Sequence, residues 1–343
     1  MVRISRDQYT YRFAADVAPV ARIQPGDEVI FETYDAATGR IRVAEDVHSY
    51  MKIRDVTKVN PAAGPVYVEG AQPGDELVVT IEAIRLTDQG YIRAMPDGLV
   101  LDGIEGPVAT IVPVATDGTL TLPGGLRLPA RPMVGVIGTA PAAGEILTAV
   151  PGPIGSNLDC NLIRPGARVH LPVHVPGALL ALGDVHAAMG DAEVSGTGIE
   201  INAEVTTRVE LLPGAAHARP WIEADGLIAA TGSAPVIADA LNIAVDGLVT
   251  LIMERHPVNR TEAFMLVTAY GDVRLGQACG PGTIDATVYA CFPVNDERTL
   301  QQQQAARLRK MLDEMDEEFG PIPEEVQREV DAFRWPESSP TKP

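Results

Sequence analysis

Cysteine is scarce in this chain. Three cysteines among 343 residues, Cys160, Cys279 and Cys291, cannot all pair with one another and are too few for a disulfide framework. We therefore expect reduced thiols, buried as small apolar side chains.

Basic residues and long apolar runs are also in short supply. The 27 lysines and arginines are outnumbered by 46 aspartates and glutamates, which gives a net charge of −19. This charge opposes binding to nucleic acid or anionic lipid, because both require a positive surface. The sequence contains no run of roughly 18 apolar residues that could cross a bilayer, and residues 1–16 contain no apolar signal core. We expect a cytoplasmic protein that binds neither nucleic acid nor membranes.

Three common catalytic motifs are missing. The chain has no Cys-x-x-Cys and no His-Glu-x-x-His, so no sequence motif dictates a metal site. It also has no Gly-x-Ser-x-Gly elbow, so a serine nucleophile at Ser156 has weak support. A thiolate at Cys160 would point away from its neighbour Asp159 on an extended strand, which favours a buried structural cysteine.

Glycine and proline, in contrast, are abundant. With 32 glycines, 28 prolines and 46% hydrophobic residues, the sequence is typical of a globular protein rich in strands and turns. Two Gln-Pro-Gly-Asp turns precede strands predicted at residues 28–34 and 76–84. A chain of this length usually forms roughly two compact units.

The strand predicted at residues 199–211 has the clearest alternation. Its odd positions are largely apolar, whereas Glu200, Glu204 and Arg208 occupy even positions. This pattern predicts one buried and one solvated face, so Glu200 ranks below Asp184, His186 and Glu193 as a candidate site residue. By the same reasoning, His170 and His174 of strand 170–175 are interpreted as polar-face residues rather than metal ligands.

Helices are predicted late in the chain. Apolar residues at helical spacing predict helices at 234–255, with Ser233 as the candidate N-cap, and at 261–270, before a short strand at 272–276. A narrow apolar stripe predicts an amphipathic helical extension over residues 296–335, and residues 336–343 are predicted to be a disordered tail. The fold class is therefore α+β, predominantly β, with residues 1–295 as the β-rich region that holds every candidate site residue.

Residues 183–193 are the most informative segment. This loop-like run holds Asp184, His186, Asp191 and Glu193 among glycines. Alternate residues of an extended chain point the same way, so Asp184 and His186 can present a carboxylate and an imidazole to one small volume. The simpler alternative is that the aspartates form turns and His186 is a hydrogen-bonded core residue. The concentration of these residues in one segment favours a metal site or an acid–base pair.

A series of short motifs runs in order through most of residues 20–290. The motifs are FETYD at 31–35, NP at 60–61, GPVYVEGA at 64–71, PGD at 73–75, GVIGTAP at 135–141, GSNLD at 155–159, LPV at 171–173, PGAL at 176–179, the segment 183–193, and GTGIE at 196–200. In order and spacing this series resembles the acetamidase/formamidase family. The chain departs from the family pattern at Ser156 and Ala192, where glycine is common, and at Met189, where glutamine is common. These departures concern the identity of the substrate more than the type of reaction.

The resemblance implies a homo-oligomeric enzyme with a jelly-roll-like β-sandwich core and a divalent metal, zinc first and calcium as the alternative. Its expected reaction is hydrolysis of a small primary carboxamide, such as formamide or acetamide, to a carboxylate and ammonia. This chemistry needs an activated nucleophile, an electrophile at the carbonyl oxygen and a proton for the departing nitrogen. A metal with nearby carboxylates can supply all three.

The expected roles follow from the matched positions. Asp159 and His186 are the first candidates for metal ligands, and Asp184 is either a third ligand or the carboxylate that orients the imidazole. Glu193 is the candidate general acid and base, with Glu32 and Asp35 as lower-ranked catalytic residues. Glu32 could instead be a polar residue on a half-exposed strand, and Asp159 a turn residue. The alternative function is a non-catalytic β-sandwich binding or scaffold protein with a structural cation in the acidic segment.

Overall fold

Strands dominate this computed structural model, which describes residues 1–94, 103–279 and 285–294. The strands in the first half of the chain are β1 (Val2–Ile4), β2 (Tyr9–Thr10), β3 (Arg12–Ala14), β4 (Ala21–Ile23), β5 (Glu28–Thr33), β6 (Ala62–Val68), β7 (Glu76–Ala94), β8 (Val108–Pro113), β9 (Thr119–Thr121), β10 (Arg127–Pro129), β11 (Met133–Gly138), β12 (Glu145–Leu147), β13 (Pro151–Gly152), β14 (Gly155–Asn157) and β15 (Arg168–Pro172). They are followed by β16 (Leu180–His186), β17 (Glu200–Leu212), β18 (Trp221–Ala224), β19 (Leu227–Ala234), β20 (Asp272–Leu275) and β21 (Ala286–Pro293). The α-helices of the described residues are α1 (Asp46–Ile53), α2 (Ile237–Arg255) and α3 (Arg260–Tyr270).

One large curled sheet contains most of these strands. Its longest pairing joins β7 and β17 in antiparallel fashion, from Glu200 opposite Tyr91 to Leu212 opposite Glu76. The other edge of β17 pairs with β5, and β16 pairs with both β11 and β6. The strands β9 and β10 form a separate hairpin, as β3 and β12 form a separate pair. This architecture confirms the predominantly β fold class.

Apolar side chains on the inner face of the sheet form the main core. Phe31, Leu77, Val79, Val205 and Val209 are fully buried and come from the paired strands β5, β7 and β17. Their alternation along each strand sends every second side chain into the same layer. The alternation in the sequence of these strands therefore predicts which residues are buried together.

The strand β16 corrects the prediction that residues 183–193 are a loop. Residues Leu180–His186 form a strand that is buried along its whole length, and only the part after His186 is irregular. Gly183 belongs to this strand, and the position requires glycine because a side chain there would collide with the Pro61 carbonyl oxygen. Gly183, predicted as a loop residue, instead permits close backbone approach within the strand.

The late helices occur where the spacing predicts them, with one difference in how α2 begins. The strand β19 continues to Ala234, so Ser233 is a strand residue, and the N-cap of α2 is Val236 without a side-chain cap. At α3, Asn259 and Glu262 form a complete capping box. The helix α1 is absent from the prediction, and the predicted segments 296–335 and 336–343 lie outside the described residues.

The polar face predicted for strand 199–211 is only partly solvated. Glu204 and Arg208 make exposed ion pairs, but Glu200 and Asn202 are buried. The prediction is also wrong for His170, which is buried, hydrogen-bonds to Glu76 at 2.8 Å and stacks on Trp221. In both cases another part of the chain covers the polar end of the strand.

All three cysteines are unpaired and buried, which confirms their predicted role as apolar core residues. Among residues 1–94, 103–279 and 285–294, none of the helices has the length and hydrophobicity needed to span a bilayer.

Candidate active site

The carboxyl end of β16 carries the central pair of the site. Asp184 and His186 lie on the same side of this strand, and Asp184 Oδ1 is 3.6 Å from His186 Nε2. Both residues are buried, and the imidazole is completely inaccessible. The two side chains are therefore neighbours, as the two-residue period of a strand predicts.

Two further residues approach His186 from elsewhere in the chain. Asp159 follows β14, and Glu193 lies in the irregular segment after β16. One donor atom from each of these residues and one from His186 all lie within 4.8 Å of one another. Both carboxylates are buried. The residues predicted as ligands and as the acid–base group are therefore brought together.

Glu200 is a member of the site that the sequence analysis ranked too low. In the sheet it stands directly opposite His186, and its Oε1 atom is 3.3 Å from His186 Nε2. Asp184, His186 and Glu200 form a second group of closely spaced donors. The signal that could have found Glu200 is the family-like motif Gly196–Glu200, because alternation alone assigns it to a solvated face.

Amide side chains hold the carboxylates in place. Asn60 Nδ2 donates to Asp184 Oδ2 at 2.8 Å. With its amide nitrogen turned toward the carboxylates, Asn157 donates to Asp159 Oδ2 at 3.1 Å and to Asp184 Oδ2 at 3.3 Å. The Gln277 side chain in turn donates to the backbone carbonyl oxygen of Asn157 at 3.0 Å. Asn60 and Asn157 occur in the recognised motifs, whereas nothing in the sequence distinguishes Gln277.

The backbone is strained at three of the site residues. Asp159, Asp184 and Glu193 have φ angles of 46°, 55° and 48°, in the left-handed region that side chains other than glycine seldom adopt. Such conformations cost on the order of 1–3 kcal/mol each and cluster at functional sites. Three strained residues therefore lie in one cluster, which supports a functional role for this site.

Burial and mutual repulsion shift the pKa values of the cluster. Burial, followed by the charge of Asp184, raises the pKa of Asp159 to about 8, and burial raises the pKa of Glu200 to about 7. Burial also raises the pKa of Glu193 well above its ordinary value. Burial alone would lower the pKa of His186, but the adjacent Glu200 and Asp184 carboxylates raise it well above the ordinary value. Four carboxylates in this volume would be stabilised in their ionised form by a cation.

Glu32 is placed outside the cluster. It points to the outer face of β5 and forms an ion pair with Arg3 at 2.6 Å, with its side chain 22% exposed. This placement does not fit the predicted catalytic role and matches the alternative of a polar residue on a half-exposed strand. The matching motif fixed the position of Glu32 in the chain but not the face on which it lies.

Asp35 is buried at the edge of the cluster. Its Oδ1 atom accepts hydrogen bonds from the backbone N–H groups of Ala37 and Gly39, both at 2.9 Å. The adjacent Ala36 N–H donates to Glu200 Oε2 at 3.4 Å. These contacts place Asp35 in the loop that contacts Glu200, and its catalytic role stays a prediction.

The cluster fits a divalent cation. Among the described residues, Asp159 Oδ1, Asp184 Oδ1 and both ring nitrogens of His186 are buried without a hydrogen-bond partner. Buried polar atoms are normally satisfied, so each of these orphaned atoms calls for an explanation. Imidazole nitrogen and carboxylate oxygen are the donors that zinc accepts, and the oxygen-rich part of the set also suits harder cations such as calcium.

A buried imidazole surrounded by carboxylates in a curled β-sheet is the arrangement of a β-sheet protein with a candidate metal centre. A family model described as "Acetamidase/Formamidase family" matches residues 3–149 and 142–236. The chain belongs to this family.

Solved structures of family members are similar over nearly their whole length. An acetamidase from Bacillus halodurans is 36% identical with a TM-score of 0.81, covering 87% of this chain and 99% of that one. A predicted acetamidase/formamidase from Thermoanaerobacter tengcongensis is 34% identical with a TM-score of 0.79, covering 85% and 95%.

Curated relatives are more distant. A formamidase of Methylophilus methylotrophus is 25% identical over 258 residues, which cover 59% of this chain and 63% of that protein. The chain spans less than two thirds of the length of the curated relatives it matches.

Proposed function

We propose that this protein hydrolyses primary carboxamides to a carboxylate and ammonia with the assistance of a divalent metal. The observation that carries the proposal is the buried cluster of Asp159, Asp184, His186, Glu193 and Glu200, with its orphaned donor atoms. Relatives named acetamidase and formamidase supply independent support. No second function is favoured by a feature of the described residues.

The metal would be held by Asp159, His186 and Asp184, with Glu200 as an additional donor from β17. His186 belongs to both groups of closely spaced donors, one with Asp159 and Glu193 and the other with Asp184 and Glu200. Zinc is the proposed ion because an imidazole is present, and calcium is the alternative because carboxylate oxygens predominate. When bound, such an ion supplies a Lewis acid that acidifies water and polarises an amide carbonyl.

The protein side chains would supply positioning and proton transfer. Glu193 is the proposed general acid and base, because its carboxyl group lies beside the donors of Asp159 and His186 and burial favours its protonated form. A protonated Glu193 can deliver a proton to the departing nitrogen, which otherwise leaves poorly. Asn60 and Asn157 hold the carboxylates of Asp184 and Asp159 in a fixed orientation.

The cytoplasm is the proposed location, and a homo-oligomer is the proposed assembly. The three buried, unpaired cysteines support a reducing compartment. A small amide remains the proposed partner, and the net charge of −19 argues against nucleic acid.

The test is ammonia release from a series of primary amides, measured on metal-replete protein and after treatment with a chelator. We expect activity that is lost on chelation and restored by metal. Asp159→Ala and His186→Ala should lose both activity and bound metal, whereas Glu32→Gln, a carboxylate on the outer face, should keep both. Metal-replete protein that consumes no amide would leave the structural-cation alternative. Full activity in the Asp159→Ala and His186→Ala variants would instead refute the assigned roles.

A further inference from the structure

A large cavity adjoins the candidate active site. Its volume is about 610 Å³, and Glu193 forms part of its wall. Cavities of roughly 300–1,000 Å³ hold drug-sized ligands. Formamide and acetamide, the smallest amides, would leave most of this space unfilled.

The walls of this cavity are mainly apolar. They are formed by the β9–β10 hairpin, the end of β7 and the segments on either side of Glu193, with the side chains of Ile92, Leu120, Leu122, Leu128, Met189 and Ile199. Met189 is itself almost fully buried. An apolar wall gains little from a polar or very small ligand, because the hydrophobic effect scales with the apolar area removed from water.

The cavity reaches the cluster at Glu193. Gly198 lines it, and a side-chain carbon at Gly198 would lie 2.6 Å from the His186 ring. Glu193, the most accessible carboxylate of the cluster at 9% exposure, also faces it. A molecule in the cavity can therefore place one end against Glu193, whose carboxylate lies beside His186 and Asp159, while the rest contacts the apolar walls.

We propose that this cavity binds the acyl part of the substrate, and that the preferred substrates are primary amides of medium-length aliphatic or arylalkyl acids. This inference rests on the proposed amide hydrolysis and narrows its substrate class. The carbonyl carbon–nitrogen bond breaks and a carbon–oxygen bond to water forms. The departing nitrogen takes up protons and leaves as ammonium, while the apolar carboxylate is the other product. No oxidant or second substrate besides water is required.

The main experiment compares kcat/KM for formamide, acetamide, butyramide, hexanamide and phenylacetamide on the metal-replete full-length chain. Each buried methylene is expected to raise kcat/KM about fourfold, so hexanamide, with four more methylenes than acetamide, should exceed it by roughly 200-fold. A maximum at formamide or acetamide would overturn this inference and leave the proposed function intact.

Calorimetric binding separates the two proposals if no amide is hydrolysed. Hexanamide that binds at least about 50-fold more tightly than acetamide would support the acyl-binding cavity while the hydrolytic function fails. Equal or undetectable binding of both amides would overturn the cavity assignment as well.

A matched pair of variants tests the location. Leu128 lines the cavity from the β9–β10 hairpin, whereas Leu126 lies on the same hairpin, is 55% exposed and does not line it. Leu128→Trp should lower the hexanamide-to-acetamide ratio of kcat/KM at least about tenfold, and Leu126→Trp should leave the ratio unchanged. Leu128→Asp provides a second variant, since a charge in the wall should lower the same ratio. Ratios that change equally in Leu126→Trp and Leu128→Trp would refute the assignment.

Discussion

At the scale of single residues, two glycines allow the cluster to close. A side-chain carbon at Gly135 would lie 2.5 Å from Asp159 Oδ1, and one at Gly198 would lie 2.6 Å from the His186 ring. Neither glycine has a positive φ. Both positions instead require glycine because no space is available there for a side chain. The carboxylate and the imidazole can approach one another only because these neighbours have no side chain.

We expect Gly198→Ala to displace the His186 ring and to reduce metal affinity by about 10–100-fold, because the residues around a metal ligand determine its orientation. Competition with a chelator of known affinity measures this change. Gly190→Ala is the matched control, because a side-chain carbon there meets nothing within 4 Å. Unchanged metal affinity in Gly198→Ala would show that the ring position is not critical.

Glu193 and the metal ligands should be distinguishable by their defects. If Glu193 transfers protons, Glu193→Gln should lower kcat by about 10²–10⁴-fold while the purified protein keeps its metal. His186→Ala should lose the metal and the activity together. Metal analysis and single-turnover kinetics on the same preparations separate these results. Loss of metal from Glu193→Gln would identify Glu193 as a ligand instead.

At the scale of elements, a buried polar network ties strands β7 and β18 to helix α2. Glu76, at the start of β7, hydrogen-bonds to His170 and His217 and accepts from the Trp221 indole at 3.1 Å. His217 also contacts Glu254 of α2 at 3.0 Å. Burial would raise the pKa of Glu76, but the two histidines outweigh it and lower the pKa to about 2. The bonds to Glu76 and Glu254 raise the pKa of His217 to about 9.

This network makes a prediction about stability and pH. Because its folded-state pKa lies above the ordinary 6.5, protonated His217 stabilises the fold fully below pH 6.5, and this contribution disappears as the pH rises through about 9. His217→Asn should therefore cost about 2 kcal/mol at pH 6 and much less at pH 10, as measured by urea unfolding. His48→Asn, an exposed histidine on α1, is the control and should cost little at either pH. An equal cost of His217→Asn at both pH values would contradict the ion-pair interpretation.

At the scale of the whole described fold, the site couples distant parts of the chain. Asp159 follows β14, His186 ends β16 and Glu200 begins β17, so a bound cation would connect three strands through their side chains. A ligand that binds only the folded state stabilises it by about 4 kcal/mol at a concentration 1,000 times its dissociation constant. Without a cation, repulsion among the buried carboxylates remains.

We therefore expect removal of the metal to lower Tm by at least about 5 °C, as measured by differential scanning calorimetry before and after chelation. Asp159→Ala should show a Tm that chelation does not change, because it cannot retain the ion. Glu32→Gln should respond like the original protein. A chelation-independent Tm in the original protein, with metal removal verified, would show that the cation does not contribute to folding.

Much of the fold could be predicted from local patterns. The alternation in β5, β7 and β17 and the helical spacing in α2 and α3 each reflect a repeat that is complete within one segment. The period of a strand also predicts that Asp184 and His186 lie side by side, which they do, although Asp184 itself has a left-handed φ of 55°. Motif resemblance added Asp159, which no local pattern connects to His186, whereas Glu193 shares the segment 183–193 with His186.

The sequence by itself determined which side chains share a face, and the tertiary structure decided what covers that face. Glu200 and Glu204 alternate identically along β17, yet β16 places His186 opposite Glu200, while Glu204 pairs with Arg3 near the surface. Glu32 matches a motif but lies on the outer face of β5. Alternation is a property of one strand, whereas burial and proximity depend on the strands that pair and pack against it, and those partners lie far away in the sequence.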